Sequence, residues 1–307
     1  MDLIESRFPK PLKPKFRYLR RRKRLTTVIA VQCRDGVVLC SDSQETTEYA
    51  GLGTKELVSK IRPVSYNDED DSYCLLGCSG MSPYINWFRE HVGEAIFKRE
   101  GRSYLEALRV ATRNYAKNVN MWGREIGLRF GEDFSNLASA IFVGYEARDH
   151  KTRVYILAPP DPPDSLSTYP YRVAIGTGGL YASLVFNIAE LLMNKIGFGW
   201  TQLSTKLVSQ FSYLVLGRII SYDAHSGMGT AFYRVDGSGY ATLSVAQIFP
   251  GLGEEGKSKL SILFETLRDE IPKEKNEKLL EVAQKYDVAG IVKQILLSIN
   301  ARSVSER

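Results

Sequence analysis

The chain has 307 residues, 44% of them hydrophobic and 25% charged, with a formal net charge of +6. That is the composition of an ordinary globular protein, long enough to bury a sizeable core in one large domain or two small ones. No apolar run reaches the length of a membrane span, which excludes a membrane-spanning helix.

Residues 1–24 hold ten basic and two acidic residues, net +8, so residues 25–307 carry −2 of the whole chain's +6. The basic character therefore belongs to this tail, which is expected to be an extended, solvated leader. It has no apolar stretch of the kind a secretory signal requires, so a cytoplasmic location is expected. A polybasic arm can bind nucleic acid or an acidic surface, but residues 25–307 add nothing to that reading.

From Thr26 to Cys33 the chain is β-branched and apolar, Asp35-Gly36 is a hairpin turn signal, and "VVLCS" returns. Both strands are apolar on both faces, which predicts a sheet covered on each side. A two-residue turn at 35–36 would set Asp42 opposite Ile29, three residues or about 10 Å along the strand from Thr26. "KIRPVS" and "YCLLGCSG" form a second strand pair around an acidic loop.

Helical spacing follows over residues 82–99 (Ile85, Phe88, Val92, Ile96) and 103–119 (Leu105, Leu108, Ala111, Tyr115), with Ser103 and Glu106 as a capping box. "NLASAIFVGYEARDHKTRVYILAP" reads as a hairpin, followed by a proline-rich loop. "YRVAIGTGG" leads into two helices near 180–195 and 200–220, and a last hairpin turns about Asp236-Gly237. Strands and helices segregated in this way predict an α+β layered domain, two antiparallel sheets packed together with helices outside. We divide the chain into a leader (1–25), one main domain (26–250) and a charged helical extension (251–307).

Four cysteines and three histidines are scattered along the chain. Cys74 and Cys78 lack a second Cys or His pair to complete a zinc set, so no metal and no cofactor is expected.

Taken in order, "TTVIAVQCRDGVVLCSDS", "SKI", "GCSG", "GTGG" and "SYDAHSGMG" resemble the proteasome β-subunit family of N-terminal-nucleophile hydrolases. The spacing Thr-x9-Gly-x5-Asp, followed by Lys-Ile and later Asp-x2-Ser-Gly, is the strongest part of the likeness. The resemblance implies a four-layer αββα sandwich and a threonine-type peptidase that cuts polypeptides within a ring of like subunits. It makes Thr26 the nucleophile, freed as a new N-terminus by loss of the leader. An N-terminal threonine supplies its own base, because an α-amino group titrates near ~8.

By the same resemblance Lys60 is the essential lysine and Asp42 the acid that holds it. Asp223 and Ser226 orient the amine and hydroxyl, and Thr177 stands where the family usually has serine. Gly80 supplies the oxyanion N–H, Thr46 pairs with an extended substrate, and Glu45, Val58 and Cys78 line the specificity pocket. Each of these residues has an ordinary use as well: a strand threonine, an exposed lysine, a turn aspartate.

One position departs from the pattern. Self-cleaving members carry glycine before the threonine, and this chain has Leu25. Leucine is costlier than glycine in the strained turn that self-cleavage requires. Two further readings therefore stand beside the peptidase: a non-catalytic subunit of a proteasome-like ring, and an amidase or transpeptidase on the same fold.

Overall fold

The structure is a computed structural model that describes residues 26–49, 52–67, 72–99, 103–125, 137–146, 149–165, 171–222, 229–254 and 257–285. Two five-stranded antiparallel sheets form its centre. The first has the order β10–β1–β2–β11–β12, built from β1 (Val28–Cys33), β2 (Gly36–Asp42), β10 (Arg172–Ile175), β11 (Thr230–Asp236) and β12 (Gly239–Thr242). The second has the order β5–β6–β7–β8–β9, from β5 (Ile61–Asn67), β6 (Ser72–Gly80), β7 (Ala138–Glu146), β8 (Lys151–Leu157) and β9 (Asp164–Ser165).

Strand alternation sorts the apolar residues into three cores. Val28, Ala30, Val37 and Leu39 of the first sheet meet Leu75, Ile141 and Val143 of the second, forming the seam between the sheets. Their alternate neighbours Ile29, Val31, Val38 and Cys40 face the other way. That side is covered by α3 (Gly179–Lys195) and α4 (Thr205–Tyr222), which contribute Phe186, Val208 and Leu216. On the second sheet Cys74, Leu76, Cys78 and Phe142 pack under α1 (Ser82–Phe97) and α2 (Tyr104–Glu125). The order of layers is helices, sheet, sheet, helices. The doubly apolar strands β1 and β2 are doubly apolar because each of their faces is buried.

The structure adds a hairpin that the apolar pattern does not show, β3 (Gln44–Tyr49) with β4 (Leu52–Leu57), forming a separate two-stranded sheet. It also adds a short helix, α5 (Val245–Ile248), in the stretch read as the end of the last hairpin. Beyond it, α6 (Lys259–Glu270) packs on α4, and α7 (Lys273–Lys285) lies beside α3. Ile262 and Ile271 enter the same core as α3 and α4.

The first hairpin corrects the expected register. Cys33 pairs with Gly36 and Val28 with Ser41, so the turn is Arg34–Asp35 and Asp42 comes level with Thr27, not Ile29. Gly36 takes the positive φ of +145° beyond the turn, where a Cβ would overlap the Val235 carbonyl oxygen. Asp35 does other work: its carboxylate accepts from Thr205 N–H at 2.7 Å and Thr205 Oγ1 at 3.1 Å, capping α4. In the last hairpin Asp236 pairs with Gly239, so that turn is Gly237–Ser238.

Candidate active site

Thr26 and Thr27 run into β1 in extended conformation and are both buried, Thr26 at 8% exposure. Alternation carried back from β1 sends Thr27 toward the α3–α4 layer and Thr26 toward the seam between the sheets. The Thr27 side chain does lie against Gly178, where a Cβ would overlap its hydroxyl and crowd Ile219 of α4.

Asp42 ends β2 with no exposed surface. Its N–H donates to the Thr27 carbonyl at 3.2 Å, and its Oδ1 accepts from Thr27 N–H at 2.7 Å. A side-chain carboxylate thus takes the place of a main-chain carbonyl at the end of the ladder. Asp42 Oδ2 accepts from Lys60 Nζ at 2.6 Å. Lys60, 6% exposed, immediately precedes β5 and so belongs to the other sheet. One carboxylate therefore ties the backbone next to Thr26 to an ammonium from across the seam. A cation so placed favours the deprotonated form of nearby acids and lowers the pKa of a neighbouring amine.

The turn after β10 completes this region. Gly176, with φ +85°, has its Cα against the Thr26 carbonyl, and a Cβ there would overlap that oxygen and stand 2.9 Å from Ser79 Oγ. Thr177, half-buried, lies between Gly176 and Gly178, which touch Thr26 and Thr27 respectively. Gly80 ends β6 at φ +135°, so close to the Leu137 carbonyl that a side chain is excluded. Met81 N–H donates to that carbonyl at 2.9 Å.

The structure thus gathers Thr26, Asp42, Lys60 and Thr177 into one region, with Gly80 next to Ser79 at the same end of β6. Val58 is half-buried at the foot of the β3–β4 hairpin, its N–H donating to Ser43 O at 2.9 Å. Glu45 and Thr46 lie in β3 as register partners of Glu56 and Lys55. Cys78 sits apart from the seam, buried under α1 and α2, where burial raises its thiol pKa against the opposing effect of Arg89. Asp223 and Ser226 lie outside the described residues, as does Leu25. The chain re-enters at Gly229, whose carbonyl accepts from Ser43 N–H at 3.0 Å, and Thr230 pairs with Asp42.

Sequence reasoning left out Thr27, Ser79, Gly176 and Gly178. Each touches the site through backbone or van der Waals contact, and each stands inside a quoted motif, Thr27 in "TTVIAVQC", Ser79 in "GCSG" and the two glycines in "GTGG", without having been singled out. Among the described residues no cluster of His, Cys, Asp or Glu is placed to hold a metal, and no helix is long and apolar enough to cross a membrane.

The two stacked sheets, the helical layers outside them and a buried threonine at the head of β1 define a four-layer αββα sandwich, the N-terminal-nucleophile hydrolase fold. Among solved structures, the Gly-1 mutant of Anbu from Hyphomicrobium sp. strain MC1 is similar in fold, with a TM-score of 0.56 at 10% identity. The match covers 80% of this chain and 95% of that one. No family model and no curated protein matches the sequence.

Proposed function

We propose that this chain is a threonine-type peptidase of the proteasome β class, acting on extended polypeptides within a ring assembly. Its reaction begins with cleavage of the Leu25–Thr26 bond, which creates the Thr26 amine. That amine takes the Thr26 hydroxyl proton as Oγ attacks the substrate carbonyl, and the Gly80 N–H receives the developing oxyanion. The amine then gives the proton to the leaving nitrogen, and an ester to Thr26 remains. Water, deprotonated by the same amine, hydrolyses the ester and restores the enzyme. Lys60 keeps the amine in its basic form, Asp42 holds Lys60, and Thr177, Asp223 and Ser226 orient the nucleophile. Thr46 pairs with the substrate strand, and Glu45 and Val58 belong to the specificity pocket.

The observation that carries this reading is the Asp42 carboxylate, shared between Thr27 N–H at 2.7 Å and Lys60 Nζ at 2.6 Å. Burying a lysine and a carboxylate at a strand end costs desolvation that an apolar pair would avoid, which favours a use for the pair beyond packing. Leu25 favours a second reading, a ring subunit that keeps its leader and does no chemistry. Intact mass and N-terminal sequencing of the purified protein beside Thr26→Ala, with hydrolysis of fluorogenic peptides, separate the two. A chain beginning at Thr26 that cuts peptides, with the variant left at full length and inert, is the expected result. Full-length, inert protein in both samples overturns it in favour of the structural subunit.

A further inference from the structure

Lys60 is held at its backbone as well as at its ammonium. Its carbonyl accepts one hydrogen bond from Cys78 N–H in β6 at 3.0 Å and a second from Arg89 Nη2 in α1 at 3.0 Å. Both lone pairs of the carbonyl are then engaged, and the peptide has lost its freedom to rotate. The inner face of α1 is otherwise apolar, with Phe88, Val92 and Ile96 buried. Arg89 interrupts it with a half-buried guanidinium that lies beside the Cys78 thiol, and whose Nε has no hydrogen-bond partner among the described residues. Burying a cation that is only partly satisfied is unfavourable, and an apolar side chain at this place would pack more cheaply.

We propose that Arg89 is a positioning residue for Lys60, fixing the Lys60 carbonyl so that its ammonium stays on Asp42, whose other oxygen holds the Thr27 N–H next to Thr26. The inference rests on the peptidase reading above for its catalytic consequence. A lysine side chain has four rotatable bonds, so a carboxylate at its tip fixes the head only if the Cα is also fixed. Without Arg89 the carbonyl keeps its bond from Cys78 N–H in β6 but loses the bond that ties it to α1. The chain of contacts runs from α1 through Lys60 O, Nζ and the two Asp42 oxygens to Thr27 N–H. A displacement of about 1 Å at a reacting group costs on the order of 10²-fold in rate.

The test uses the full chain with Arg89→Ala and Arg89→Lys. Trace acetylation by acetic anhydride, read by peptide mass spectrometry, follows Lys60 relative to Lys259, whose ammonium lies 4.4 Å from the Tyr213 ring in the far layer. Loss of a charged hydrogen bond is expected to raise Lys60 labelling about tenfold in Arg89→Ala. Arg89→Lys, which keeps a donor within reach, returns it toward wild type. Peptide hydrolysis is expected to lose kcat by about 10²-fold in Arg89→Ala with KM unchanged, because Arg89 touches no substrate. Unchanged Lys60 labelling overturns the proposal whatever the activity. A joint fall of kcat and thermal stability that Arg89→Lys does not rescue also overturns it, leaving Arg89 a structural residue. Raised labelling in a protein whose wild type cuts no peptide upholds the hold on Lys60 and overturns the peptidase reading instead.

Discussion

With no exposed surface, the Asp42 carboxylate must satisfy both a strand-end N–H and an ammonium from the opposite sheet. Asp42→Asn keeps an oxygen for Thr27 N–H but removes the charge that faces Lys60. Breaking one side of a buried ion pair costs about 3–5 kcal/mol, so urea unfolding of this variant is expected to show a loss of that order. Lys60→Met in the same chain removes the unbalanced charge and is expected to recover part of the stability, though not all of it, since the amide that replaces the carboxylate stays buried and its NH2 faces an apolar side chain. Peptide hydrolysis returns in neither variant if the pair serves the reaction; full activity in the double variant would show that it does not. This pair was legible in the sequence only through the resemblance, because Asp42 and Lys60 are 18 residues apart with no local pattern joining them. Its contact with the threonine backbone was not legible. The Asp-Gly signal pointed to a turn at 35–36, whereas Arg34 and Asp35 both keep negative φ and leave the positive one to Gly36. A slip of two in the pairing sum moved Asp42 from Ile29 to Thr27, which replaced an expected separation of ~10 Å from Thr26 with a direct hydrogen bond to the residue beside it.

The helix α4 shows how elements place the site. Two carboxylates from distant parts of the chain meet its N-terminus: Asp35 on Thr205, and Glu270, which accepts from Ser204 N–H at 2.9 Å and from Ser204 Oγ. Negative charge and N–H acceptors are what a helix start requires. At its other end α4 delivers Tyr222, and the next residues in the chain are those carrying Asp223 and Ser226. Asp35→Ala and Glu270→Ala are each expected to cost about 1 kcal/mol, within the ~0.5–2 kcal/mol range of lost caps, read as a shift in urea midpoint without a change in slope. The two effects are not expected to add, since the carboxylates cap consecutive residues of one helix start; the double variant is expected to lose more than either single, and one no weaker than either single would show that one cap suffices. Sequence pattern found α1 to α4 and most central strands because each buries a face, and burial writes apolar periodicity. It missed β3–β4, whose sequences "QETTEY" and "LGTKEL" carry no apolar alternation, and α5, whose four residues are too short to show a period. The Ser244–Gln247 capping box was the readable sign of α5.

At the scale of the whole molecule, the boundary drawn at residue 250 separates what the core joins. Ile262 and Ile271 are buried among residues of α3, α4, β1 and β2, with Leu263 and Leu267 packed against the same cluster. Glu270 caps α4, and Lys275 Nζ stands 5.0 Å from the centre of the Phe198 ring. Burying two isoleucines contributes about 1.5–3 kcal/mol each, to which the cap adds about 1 kcal/mol. That is a large part of the ~5–15 kcal/mol that holds a domain together. A chain ending at residue 256 is therefore expected to unfold at much lower urea than the full chain, with the loss concentrated in the α3–α4 layer. Trp200 reports on that layer, buried against Phe186 with ring centroids 5.1 Å apart, whereas Trp87 and Trp122 lie in the α1–α2 layer. With Trp87 and Trp122 replaced by Phe, Trp200 fluorescence and far-UV circular dichroism should trace one coincident transition in the full chain. In the shortened chain the Trp200 signal should fail first, because Ile262 and Ile271 belong to the α3–α4 core, whereas among the described residues the buried seam and the α1–α2 core include no residue of α6 or α7. Equal midpoints for the two chains would mean that α6 and α7 are carried by the sandwich and give it nothing. Then the buried isoleucines would be passengers, and α4, with the segment it leads into, would be held by the Asp35 cap and by the packing of Val208 and Leu216 on the first sheet.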